Sequence, residues 1–182
     1  MKVLRSLVIL LALPTLAYAR AQNTPRAQSN AAKPTGFKAE FLSSVDDIES
    51  KLMELAESTP AEKYSWRPAP GVRSIGEVYA HVAASNYFLC TFLGVDPPKR
   101  NGGDLEKTIT KKADIVAELR RSFDHVRMAA TNTSNLEKPV KMFGNTTSQR
   151  GVMITVLNHL HEHLGQSIAY ARMNGVVPPW SR

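Results

Sequence analysis

The chain has 182 residues, 43% of them hydrophobic and 21% charged, with a formal net charge of +7 and one cysteine. This is the composition of a single globular domain, long enough to bury its own core. It excludes a scaffold held by internal disulfides. The basic residues at Lys99-Arg100, Lys111-Lys112, Arg120-Arg121 and Arg127 alternate with Asp and Glu, as on solvated helix faces, so no nucleic-acid partner is expected.

Lys2 and Arg5 precede an apolar run from Leu7 to Leu16 that ends in Ala17-Tyr18-Ala19, which reads as a signal peptide over residues 1–19. The run is shorter than the roughly 20 residues a spanning helix needs, and it carries Pro14. No stable membrane insertion is therefore expected after cleavage, and the mature protein is expected to be periplasmic or secreted. A second small-residue site, Ala19-Arg20-Ala21, leaves the cut open by two residues. Cleavage lowers the basic count from 23 to 21 against 16 acids, leaving +5. Residues 20–35 have almost nothing bulky to bury and read as a flexible leader, with the folded domain over residues 36–182.

In that domain Phe41, Val45, Ile48, Leu52 and Leu55 recur every three or four residues, which predicts a first helix from Phe37 to Ser58, ended by Thr59-Pro60. Ser74 with Glu77 makes a capping box that opens a second helix, running to about Phe92 and closing at Gly94. Leu105 to about Ala130 predicts a third, with Ile109, Ile115, Val116, Leu119, Phe123 and Val126 on its stripe. Thr131 to Thr147 is polar, carries Pro139 and Gly144, and reads as a long loop of the kind that borders a site. A fourth helix runs from Ser148 or Gln149 to Asn174, with Gly175 as its natural end. Without alternating strand patterns or repeats, the expected fold is all-α, a four-helix bundle. Cys90, in the apolar run Tyr87 to Phe92, reads as a small buried hydrophobe.

His159 and His163 stand at i and i+4, about 40° apart around the helix and about 6 Å along it, so both rings can reach one ion. Val152 and Val156 extend their stripe, which therefore points inward. His161 faces elsewhere and reads as a surface residue. Two inward histidines are costly unless something satisfies them, and a divalent metal does so. His81, on the line of Val78, Ser85 and Phe88, is the natural third ligand; His125 ranks second, because Asp124 and Arg127 beside it suggest a charged face. Three neutral histidines leave a coordination position open, as in catalytic sites. The letters His159-Leu-His-Glu162-His163 also fit an inverted zinc-peptidase motif with Glu162 as base, a weaker reading because nothing around the motif supplies a substrate cleft.

The runs Trp66-Arg67-Pro68-Ala69-Pro70-Gly71-Val72-Arg73-Ser74-Ile75-Gly76-Glu77-Val78-Tyr79-Ala80-His81, His159-x3-His163-Leu164-Gly165-Gln166 and Arg172 to Trp180 resemble the DinB-like (DinB/YfiT) superfamily, over roughly Gly36 to Trp180. The resemblance implies an up-down-down-up bundle, frequently a homodimer, with a three-histidine site for nickel, zinc or another divalent ion on His81, His159 and His163. It also implies that Gly165 permits close helix approach and that Gln166 supports the site. Glu77, one turn before His81, could orient that ring, although its capping role is the simpler explanation. Some members are thiol-dependent S-transferases or isomerases, which makes a metal-dependent transferase or hydrolase acting on a small molecule the first functional expectation. A signal peptide argues against a thiol cofactor, which is scarce outside the cytoplasm. The alternative is a non-catalytic metal-binding or stress-related interaction protein whose metal is structural. Substrate choice would lie in the loops around Pro97 to Gly103 and Thr131 to Thr147.

Overall fold

A computed structural model describes residues 35–99 and 104–181. The expected signal peptide and all of the expected leader except Thr35 lie outside the described residues. Among those residues no helix is long and apolar enough to cross a membrane.

The helices are α1 (Phe37–Ser58), α2 (Ile75–Thr91), α3 (Leu105–Thr108), α4 (Lys112–Asn132) and α5 (Gln149–Met173), with strands β1 (Pro139–Met142) and β2 (Asn145–Ser148) before α5. The predicted stripe of α1 is buried at every position, Phe41 to Leu55. The capping box of α2 forms in full, Ser74 Oγ accepting from the Glu77 amide and Glu77 accepting from the Ser74 amide. Gly94 and Gly175 close α2 and α5 with positive φ, 84° and 76°.

Side-chain contacts fix the helix directions. Lys38, at the start of α1, donates to the Thr131 and Thr133 carbonyls at the C-terminal end of α4, while Lys112, at the start of α4, donates to the Glu57 and Thr59 carbonyls. Hence α1 and α4 are antiparallel. Gly76 meets Ile115 and Asn86 donates to Ser122, so α2 runs parallel to α4. Trp66, just before α2, stacks edge-on against Tyr170 near the end of α5, and His81 meets His159, so α5 runs opposite to α2. The result is an up-down-down-up four-helix bundle, in which α2 packs most extensively on α4 and also meets α5.

Two expectations are corrected. The third helix is not continuous, for Thr108, Ile109 and Thr110 are three β-branched residues in a row, poor helix formers. Ile109 takes an extended conformation (φ −114°, ψ 119°) and packs against the group of Ala83, Tyr87 and Leu105. That break frees α3 to place its own side chains independently of α4. The long loop, in turn, contains an antiparallel hairpin, β1 on β2, closed by Phe143-Gly144. Both turn residues have positive φ, 52° and 81°, the geometry of a two-residue type I′ turn, whose usual Asn-Gly signal is absent here.

Candidate metal centre

α2 and α5 bring three of the predicted side chains together. His81, His159 and His163 each present a ring nitrogen such that the three donors lie within 4.8 Å of one another. Ring centroids are 5.1 Å apart for His81 and His159, 4.8 Å for His81 and His163, and 4.4 Å for His159 and His163. The Nε2 atoms of His81 and His159 stand 3.2 Å apart, close to the roughly 3.3 Å separating two nitrogens bound at about 2.05 Å to one tetrahedral ion.

The outer nitrogens decide which way the lone pairs point. His81 Nδ1 lies 2.7 Å from Glu106 Oε1; a carboxylate only accepts here, so Nδ1 carries the proton and Nε2 is left as the free lone pair. His163 Nδ1 lies 2.8 Å from Gln166 Oε1, and the Gln166 amide is oriented by donating from Nε2 to Tyr170 Oη at 3.0 Å. His163 Nε2 is therefore also an acceptor. Two lone pairs converging beside a third imidazole, in a half-buried site, call for a cation. His159 differs from its neighbours, since its Nδ1 is buried without a hydrogen-bond partner.

Glu106 was not legible in the sequence. It stands on the four-residue α3 and is gripped by Arg73, whose Nε and Nη2 donate to it at 2.6 and 3.2 Å. Burial alone would raise the Glu106 carboxyl, but its hydrogen bonds from Arg73 and His81 outweigh that and hold it below the ordinary carboxylate value. Glu77, by contrast, spends its oxygens on the Ser74 amide and on Arg67 at 2.8 Å; the carboxylate that orients His81 comes from α3 and not from the preceding turn. Gln166 supports the site through His163.

The remaining residues are distributed as follows. His161 is exposed, bonded to the Leu157 carbonyl, and Glu162 is exposed beside it, away from a peptidase-like base position. His125 is not on a charged surface: it is buried, edge-on to Tyr87 at 5.0 Å, with Nε2 unpartnered, and lies on α4 outside the histidine cluster. Cys90 is buried, and burial pushes its thiol up to about 12. Gly165 does not mediate a close approach, because a Cβ built there meets nothing within 4 Å. Since its φ is ordinary and it sits inside α5, Gly165→Ala is expected to stabilise the fold by about 0.5–1 kcal/mol, read as a higher Tm; a lower Tm would reveal a contact outside the protomer.

Burial shapes the titration of the cluster. His159 is pushed from 6.5 down to about 4, by desolvation first and then by His163, His81 and Arg73. His163 is also lowered by burial, although its hydrogen bond to Gln166 opposes the shift. Below pH 6.5 the unfolded chain takes up protons that the folded chain refuses, so stability rises with pH across this window. The metal-free protein is thus expected to lose stability as pH falls from about 6.5 towards 4, with no further loss from His159 below that. Thermal melts in steps of pH test this; a flat Tm across the window contradicts it.

The family model for the DinB superfamily matches residues 45–167. Among solved structures, a DinB-like protein of Bacillus cereus ATCC 10987 superposes with a TM-score of 0.67 at 20% identity, covering 76% of this chain and 93% of that one. The DinB-like protein YjoA of Bacillus subtilis gives 0.60 at 20% identity, covering 75% and 92%. The comparison with curated proteins gives no match.

Proposed function

Because this chain belongs to the DinB superfamily, we propose that it holds one divalent metal ion, nickel or zinc, through Nε2 of His81, His159 and His163, and that it is a metal-dependent enzyme of the transferase or hydrolase kind acting on a small molecule. The observation that carries this reading is the convergence of three imidazole nitrogens within 4.8 Å, two of them fixed as acceptors by Glu106 and Gln166. When bound, such an ion supplies a Lewis acid with an open position, suited to activating a thiol or a water. The chain's own part is to orient two rings through Glu106 and Gln166 and to favour the neutral form of His159 and His163 by burial.

Metal analysis of the purified mature protein tests the first half: about one ion per chain is expected, and none overturns the reading. The second half is tested on a cobalt-substituted form, whose visible spectrum should change on adding azide or a thiol. An unchanged spectrum would mark a closed, structural ion. The same reading places the protein outside the cytoplasm, after cleavage near Ala19, as a homodimer. N-terminal sequencing of the mature protein and sedimentation of the purified chain test these two points.

A further inference from the structure

Among the described residues Phe143 is the one non-glycine with positive φ, 52°. Glycine or asparagine would occupy this turn position freely, whereas a bulky side chain pays a steric cost there. Burial does not offset it, for Phe143 is 64% exposed. Its ring lies instead against two others, 6.1 Å from Phe88 and 5.8 Å from Phe92, which pack edge-on at 5.3 Å. Phe88 is itself 51% exposed. Strained, exposed residues that persist in a fold point to function more than to stability.

The position of these rings connects them to the histidines. Phe88 follows His81 by seven residues on α2, which is about 10 Å along the axis and about 20° around it. Ser85 lies between, its Oγ 3.5 Å from His81 Nε2, the nitrogen that faces the cluster. Ala84 and Ser85 are half-buried and uncharged. The hairpin that presents Phe143 is tied to the helix of the other two histidines: Ser148 ends β2 and caps α5, and the Gln149 and Arg150 amides donate to the Lys138 and Leu136 carbonyls at 3.0 and 2.8 Å. The aromatic wall and the histidines are therefore held on one rigid frame.

From this placement we infer that Phe88, Phe92 and Phe143 form the subsite for the aromatic tail of a small-molecule ligand whose anionic oxygen or sulfur head reaches the ion at the histidines. The inference rests on the metal-site reading above. A small ligand is favoured over a second copy of the chain because Phe88 shares a face of α2 with His81, separated on that face by the small Ser85, so the aromatic rings stand within one ligand's length of convergent polar groups.

The test uses the zinc-loaded full chain, with acetohydroxamate and a series of phenylalkyl hydroxamates of three to six methylenes as probes, lengths that bracket the span of about 10 Å. Calorimetry is expected to show the best phenylalkyl probe binding at least tenfold tighter than acetohydroxamate. Phe88→Ala and Phe143→Asn should each remove most of that gain while leaving acetohydroxamate affinity unchanged. Phe143→Asn should also melt higher, by about 2 °C, since asparagine tolerates the left-handed conformation; a stabilised fold with weakened tail binding is a result that a purely structural role for Phe143 does not give. No gain in the wild type, or a gain that survives both substitutions, overturns the subsite and leaves the metal site standing. Failure of acetohydroxamate to bind the wild type overturns both. Conversion of a dimer to a monomer by Phe143→Asn, with the gain intact, overturns the subsite in favour of a contact between copies.

Discussion

Replacing His159 or His163 with alanine is expected to abolish stoichiometric metal, with His81→Ala doing the same. A site of three imidazoles that loses one keeps two monodentate donors, and among the described residues no carboxylate belongs to the cluster to take the missing place. A loss well beyond a hundredfold in affinity follows, since even outer-sphere partners of metal-bound histidines are worth about 10–100-fold. Metal content after dialysis against a weak chelator reads the effect. The fold supplies its own control: His81 and His159 are only partly buried, so those two variants should keep their helical content. His159→Ala even removes a buried Nδ1 that has no partner, and should leave the metal-free protein as stable as the wild type or more so. Retention of one ion per chain by any of the three variants would sink the assignment of that residue.

The second large effect is expected at Glu106. Its carboxylate accepts a hydrogen bond from His81 Nδ1 at 2.7 Å and is itself clamped by Arg73 at 2.6 and 3.2 Å. Without it, His81 is free to rotate and to exchange tautomers, and its Nε2 becomes a weaker donor. Glu106→Ala should therefore weaken metal binding by about 10–100-fold, and Glu106→Gln, which keeps an acceptor but loses the charge and the paired contact with Arg73, by less. Competition titration with a chromophoric chelator gives both numbers. A merely structural role for Glu106 predicts a different pattern, a lowered Tm of the metal-free protein with unchanged metal affinity. Gln166→Ala should cost less than Glu106→Ala, because a neutral amide polarises an imidazole less than a carboxylate does.

What the sequence determined by itself is everything that is local. The stripe Phe41 to Leu55, the box of Ser74 and Glu77, the terminating glycines at 94 and 175 and the facing pair His159 and His163 all follow from residues three or four apart, a distance at which helix geometry alone fixes who meets whom. The burial of Cys90 and the exposure of His161 were legible for the same reason. The tertiary structure decided whatever depends on the path of the chain between elements. Glu106 reaches His81 from 25 positions away only because Thr108-Ile109-Thr110 breaks the third helix and swings a single turn against α2. His125, flanked by charges in sequence, is buried because α4 turns that one position towards Tyr87. Phe143 carries no signal of a turn, yet the pairing of Pro139–Met142 with Asn145–Ser148 leaves it no other conformation. Periodicity places a side chain on a face, and only the packing of one face against another settles what that side chain meets.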